Sequence, residues 1–327
     1  MASDGRAAYR SPWAAALTAL GDLVHPRRDI VSVGENVRLD GQHWVVTGAG
    51  RGLGRATAQA LAERGAHLTI VSRQAPEELA RRLSSVHRVS VRALGCEQSD
   101  LRQVVALADA VAEGAPLHGV VLNAGLMPRQ TRITPQGYEE MFAVHFAANV
   151  VLVERWRAAG CLHFVGTNPP RIVVVASEAH RSSPPIDVAS CELPPRFGVN
   201  DGMKWYGHSK LLLLAYFQWL ARQASVDDPN GLAIHCLCPG PIASSIAREA
   251  PLWVRPLATA VMALCFKSPR RASAPVLYLA ASPEVARTTG DYLHMMARKA
   301  LDARALDVTL QDRLAVRARD LFAEFLL

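Results

Sequence analysis

The chain has 327 residues, 50% hydrophobic and 20% charged, which is enough to bury a sizeable core as one large domain or two small ones. Its net charge of +7 suits anionic partners, but 32 arginines and 4 lysines lie scattered with no run of five, which argues against a nucleic-acid surface. Six cysteines (96, 161, 191, 236, 238, 265) without CxxC spacing argue against a metal or redox cluster.

The first forty residues read as a leader, broken by Pro12, Pro26 and Gly34. No secretory signal is evident, and "PWAAALTAL" (12–20) falls short of the ~18 apolar residues a membrane span needs. This stretch is expected to be an amphipathic segment that docks on the body or touches a membrane surface. The location expected is cytoplasmic, with peripheral membrane contact as the alternative.

From His43 the rhythm changes. "HWVVTG" reads as a strand, followed by a glycine cluster and the helix "GRATAQALAERG". Strand "AHLTIVS", helix "PEELARRLSSV", strand "RVSVRAL", helix "DLRQVVALADAVAEG" and strand "GVVLNAG" follow. Then come a long helix from "PQGYEEMF" to "ERWRAAG", strand "RIVVVAS", helix "GMKWYGHSKLLLLAYFQWLARQA" and strand "GLAIHCLCPG". Strands alternating with helices imply an α/β fold, a single doubly wound (Rossmann) parallel sheet with helices on both faces. Near-continuous apolar strands fit a sheet covered on both sides. The expected organisation is a leader (1–40), one domain (41–300) and a helical tail (301–327). The leucine run 211–214 faces either the core or a partner subunit, so a homodimer is a candidate state.

"TGAGRGLG" (47–54) joins the first strand to the first helix. Gly48, Gly52, Leu53 and Gly54 belong to this loop, whose glycines let the backbone approach a pyrophosphate met by helix N-terminal amides. An acid after the second strand would bind a ribose 2′-OH, but that strand ends in Ser72 and Arg73. Arg73 with Arg51 could clamp a 2′-phosphate, so NADP(H) is the expected cofactor. On the helix "KWYGHSK", Tyr206 and Lys210 are i,i+4 neighbours, a spacing at which a cation lowers a phenol pKa from ~10. Tyr206 would then exchange a proton with a carbonyl or alcohol oxygen, with Ser177, at the end of its strand, holding that oxygen.

In the order "TGAGRGLG", "NAG" (123–125), Ser177 after "RIVVVA", "YGHSK" and "PGPIAS" (239–244), the chain resembles the short-chain dehydrogenase/reductase superfamily over about residues 41–300. "RIVVVASEAH", "FKSPRRASAPVLYLAASPE" and "TTGDYL" are similar to its retinol-dehydrogenase-like branch, which includes the oxidoreductase module attached to WW domains. The resemblance implies hydride transfer at a carbonyl or alcohol carbon, often of a lipophilic substrate; no metal is expected. It implies that Lys210 also holds the nicotinamide ribose, that Glu97 stands where an aspartate contacts adenine, and that Asn123 and Gly125 brace the sheet. It places Pro239, Ile242 and Ser244 against the carboxamide. Leu252, Trp253, Val254, Leu257 and Met262 are expected to form a lid over the substrate.

One position departs from the family. In "FAVHFAANV", His145 stands where the family's active-site asparagine holds a water that links the lysine to solvent, with Asn149 one turn on. His145 either relays protons itself or marks altered chemistry. The alternative reading is therefore a cofactor-binding protein with changed or lost redox activity, regulatory or a biosynthetic epimerase, dehydratase or cyclase.

Overall fold

The computed structural model describes residues 29–193, 196–198, 201–224, 231–240 and 268–326. All six apolar runs read as strands form: β1 (His43–Thr47), β2 (His67–Ser72), β3 (Val91–Gly95), β4 (Gly119–Leu122), β5 (Arg171–Val175) and β6 (Ala233–Cys238). Two short strands, β7 (Tyr292–His294) and β8 (Ala297–Arg298), complete the sheet. The order is β3-β2-β1-β4-β5-β6-β7-β8, parallel as far as β7, with β8 antiparallel. Strand order reverses between β1 and β4, and ligands of such sheets bind outside the carboxyl ends at that point.

Helices α1 (Gly52–Ala62) and α2 (Glu77–His87) pack on one face. Helix α3 (Leu101–Ala112) packs on the other. It starts where the Asp100 side chain accepts from the Arg102 N–H, a cap typically worth ~1 kcal/mol. The long helix expected from Pro135 instead begins at Glu140, after Glu139 caps it through the Phe142 N–H. It then passes through a π-helical turn (Ala143–Ala147) into α4 (Ala148–Ala158). π turns are rare and concentrate at functional sites.

Helix α5 (Gly202–Gln223) carries the "YGHSK" motif and is buried almost all round. α6 (Ala274–Ala281) covers the first face, and α7 (Val308–Leu321) lies across α5. Leu211, Leu212, Leu213 and Leu214 are fully buried in the core, so the leucine run does not face a partner. Arg222 bonds Asp312 at 2.6 Å, and the Arg319 guanidinium lies 5.4 Å from the Trp219 ring centre. Phe322 joins Phe142 and Phe146 in one aromatic cluster, at 6.2 and 6.1 Å between ring centres. Burying a phenylalanine stabilises by roughly 1.5–3 kcal/mol, so this end of the chain is fastened to the core.

Among the described residues no helix is long and apolar enough to cross a membrane. Cys236 and Cys238 are buried free thiols in β6, and Cys265 lies outside the described residues. Most of the leader, the carboxamide residues Ile242 and Ser244, and the lid residues Leu252, Trp253, Val254, Leu257 and Met262 also lie outside them.

Candidate active site

The glycine loop closes over the switch point. Gly48 has φ +65°, and a Cβ there would sit 2.9 Å from both the Ala124 Cα and the Asn123 Nδ2. A Cβ on Gly54 would lie 2.3 Å from the Gly48 carbonyl oxygen. Helix α1 starts at Gly52 with no side-chain cap on its N–H groups, which leaves a site suited to an anion. Leu53 is buried beneath the turn, while Arg51 is exposed. Gly50 packs against Ser72, so the loop and the end of β2 meet, and exposed Arg73 follows Ser72. The cradle, its uncapped helix end and two neighbouring arginines fit a phosphate-bearing dinucleotide.

Asn123 holds the strands at this point. Its Nδ2 donates to the Thr47 carbonyl at 2.8 Å, while the N–H groups of Asn123 and Ala124 donate to Thr47 Oγ1 at 2.9 and 3.1 Å. Glu97 turns back on its own loop, accepting from the Ser99 N–H at 3.3 Å. Pro239 is buried at the end of β6.

Ser177, Tyr206 and Lys210 converge at the carboxyl end of β5. Ser177 is the cap of a 3₁₀ turn (Glu178–Ser182), with its Oγ accepting from the Ala179 N–H at 3.2 Å. A Cβ at Gly207 would lie 2.2 Å from the Ala179 carbonyl, so only glycine lets α5 approach this turn. The neighbouring Tyr206 is thereby brought near enough to Ser177 for the serine side chain to act on its phenol. Lys210, 3% exposed, donates to the Val175 carbonyl at 3.0 Å, and its Nζ lies 5.8 Å from the centre of the Tyr206 ring.

The electrostatics differ from the i,i+4 expectation. Burial pushes the Tyr206 phenol up to about 12, although the Ser177 side chain draws it down. Burial pulls Lys210 down to about 8. In the free protein desolvation is the largest cause of both shifts, and the ammonium is anchored on a strand carbonyl.

His145 is fully buried, with its ring edge-on to Tyr206 at 5.3 Å between centres. Its Nε2 accepts from the Leu126 N–H at 3.0 Å, and its Nδ1 lies 2.8 Å from Ser209 Oγ. Asn149 does not reach the phenol or the lysine through any hydrogen bond; its Nδ2 donates to the His145 carbonyl at 2.7 Å. A Cβ on Gly125 would meet His145 Nε2 at 3.1 Å and Lys210 Nζ at 3.9 Å, so the "NAG" loop touches both side chains.

Sequence reasoning missed Glu178 and Ser209. The Glu178 carboxylate accepts from Lys299 at 2.7 Å, the Tyr292 hydroxyl at 2.8 Å and Arg181 at 3.1 Å, which ties the turn after Ser177 to β7 and to the residue that follows β8. Despite burial, Arg181 and Lys299 hold this carboxyl down at about 2. Its place next to Ser177 was visible, but partners more than a hundred residues away were not.

Comparison with known proteins agrees with this geometry. A family model described as short chain dehydrogenase matches residues 42–189. The chain is 32% identical over 305 residues to a probable oxidoreductase of Streptomyces lividans, covering 84% of this chain and 96% of that one. It is 29% identical to retinol dehydrogenase 12 of Mus musculus, with 85% of each chain covered. It is 30% identical to the human WW domain-containing oxidoreductase over 78% of this chain, and spans 61% of that protein's length. The fold is shared with a putative uncharacterized protein from Mycobacterium paratuberculosis, at TM-score 0.68, 19% identity and coverage of 90% and 98%. It is also shared with a putative NAD(P)-dependent gluconate 5-dehydrogenase from Beutenbergia cavernae with bound NADP, at TM-score 0.61, 24% identity and coverage of 79% and 96%.

Proposed function

The chain belongs to the short-chain dehydrogenase family, and from that premise we propose an NADP(H)-dependent oxidoreductase acting on the carbonyl or alcohol carbon of a lipophilic substrate. A bound dinucleotide supplies the hydride chemistry, and the chain's own residues hold it and handle the proton. Gly48, Gly52, Leu53 and Gly54, with the first N–H groups of α1, seat the pyrophosphate. Arg51 and Arg73, beside Ser72, take the 2′-phosphate. Glu97 lies on the adenine side, while Asn123, Gly125 and Pro239 border the nicotinamide side. The bound NADP of the Beutenbergia cavernae protein and the name of the murine retinol dehydrogenase support the cofactor and the substrate class.

Tyr206 gives its proton to the carbonyl oxygen in reduction and takes it back in oxidation. Ser177 hydrogen-bonds the same oxygen and places it. Lys210, cationic below about 8, favours the phenolate and holds the cofactor ribose. The observation that carries the reading is the meeting of Ser177, Tyr206 and Lys210 at the end of β5, where the Lys210 ammonium sits on the Val175 carbonyl at 3.0 Å and 5.8 Å from the centre of the Tyr206 ring. A panel of carbonyls and alcohols with NADPH and NADP+, followed at the nicotinamide absorbance with Tyr206→Phe as control, tests it. Turnover that survives in Tyr206→Phe refutes the assigned acid/base.

A second reading is a cofactor binder with altered or lost redox activity, regulatory or an epimerase, dehydratase or cyclase. The observation favouring it is His145, whose two ring nitrogens are both engaged within the protein. Tight NADPH binding without turnover on the panel, or substrate conversion without net change in NADPH absorbance, would establish it.

A further inference from the structure

Three hydrogen bonds fix the chemistry of His145. Ser209 Oγ has one proton, and it donates to the Tyr206 carbonyl at 2.9 Å, which can only accept. Ser209 Oγ must therefore accept from His145, and Nδ1 is the donor at 2.8 Å. Nε2 faces the Leu126 N–H at 3.0 Å and can only accept there. A second ring proton would set two N–H groups against each other in a fully buried space. The hydrogen bonds thus admit one state, the neutral imidazole with its proton on Nδ1.

These bonds join into one chain, from the Leu126 N–H through the imidazole and the Ser209 hydroxyl to the backbone of Tyr206. One end is the loop that follows β4 and borders the cofactor side. The other is the α5 turn that carries the phenol. The π turn Ala143–Ala147 holds the imidazole between them. The charged and titratable groups facing the ring are Lys210 and Tyr206, both on α5. Burial and the Lys210 cation both hold the imidazole well below its ordinary pKa, in keeping with the hydrogen bonds.

We propose that His145 and Ser209 form a positioning strap, a fixed neutral imidazole and a hydroxyl that tie the loop after β4 to the backbone of Tyr206 without carrying a proton. The strap rests on the active-site reading above, but its first test does not depend on turnover. In ¹⁵N-labelled wild-type protein, with His145→Gln used to assign the signals, the ring is expected to show a protonated Nδ1 and a bare Nε2, unchanged from about pH 5 to about pH 8. An Nε2–H form, an imidazolium or a titration in that range overturns the strap. Absence of turnover in the wild type would count against the function alone.

Kinetics supply the second test. A lost positioning hydrogen bond costs about 2- to 15-fold, whereas a lost proton carrier costs about 10²- to 10⁴-fold. Ser209→Ala and His145→Gln are expected to lower kcat by about 2- to 15-fold each, with the limbs of the pH–rate profile in place and KM for NADPH within about twofold. A loss beyond about a hundredfold in folded His145→Gln, with a displaced pH limb, makes the imidazole a proton carrier and overturns the proposal. Should His145→Gln fail to fold, Ser209→Ala and the wild-type nitrogen spectrum still decide.

Discussion

Lys210 donates to the carbonyl of Val175 at 3.0 Å, so the cation beside Tyr206 is fastened to the end of β5 and not to the phenol. Burying it is costly, because a drop from 10.5 to about 8 corresponds to as much as ~3 kcal/mol of lost charge solvation. The sign follows from linkage: the folded state disfavours the proton, so this cost is fully present below about 8 and disappears as pH rises through 10.5. Replacing Lys210 by Met removes that cost but leaves the Val175 carbonyl without its donor, which returns ~1 kcal/mol. Lys210→Met is expected to be about 1–2 kcal/mol more stable than the wild type in urea at pH 7 while losing most turnover. A less stable variant would show that the ammonium supports the fold.

Arg73→Ala is expected to weaken NADPH binding by about 10- to 100-fold and NADH binding by less than about threefold, because only a 2′-phosphate needs the guanidinium. Titration calorimetry with both dinucleotides checks this, and equal losses would remove the clamp.

Gly54→Ala places a methyl group 2.3 Å from the Gly48 carbonyl oxygen, which is backbone and cannot swing aside. The loop must open to relieve the contact. Dinucleotide affinity is expected to fall by at least about tenfold while the circular dichroism spectrum keeps its α/β shape. Unchanged affinity would mean that the loop does not form the cofactor seat.

Acid should unfold the protein in two stages. Buried His180 is held down at about 4, so its contribution is complete above 6.5 and is lost as pH falls from 6.5 through 4. Glu178 is held at about 2, so its contribution is complete above 4.5 and fades as pH falls toward 2. Each shift bounds its effect at ~3 kcal/mol. Urea midpoints at about pH 7, 5 and 4 should decline, and Glu178→Gln should flatten the lower part of that curve. A midpoint that stays level between pH 7 and pH 4 would contradict the histidine assignment.

The sheet was legible because most of its first six strands are apolar runs, several of them rich in β-branched residues, that alternate with helix-forming stretches. β7 and β8, of three and two residues, are too short to leave such a pattern. The π turn was hidden for a different reason: "AVHFA" reads the same in an α-helix, and one extra residue per turn leaves no mark in hydrophobic spacing. At the site, i,i+4 spacing correctly put Tyr206 and Lys210 on one face of α5. It could not show that a strand carbonyl captures the ammonium, or that burial dominates the phenol. His145 was singled out by its position, but its tautomer depends on Ser209 and Leu126, one 64 residues away and the other in a loop.

The placing of α7 across α5 makes the outer end of the chain a mechanical element of the site. α5 carries Tyr206 near its start and is pressed between the sheet and α7, like a beam clamped along its far half. Leu314, Ala315 and Ala318 supply the outer jaw, and Phe322 pins it. Damage to residues 308–326 would therefore loosen the far half of the helix on which Tyr206 stands.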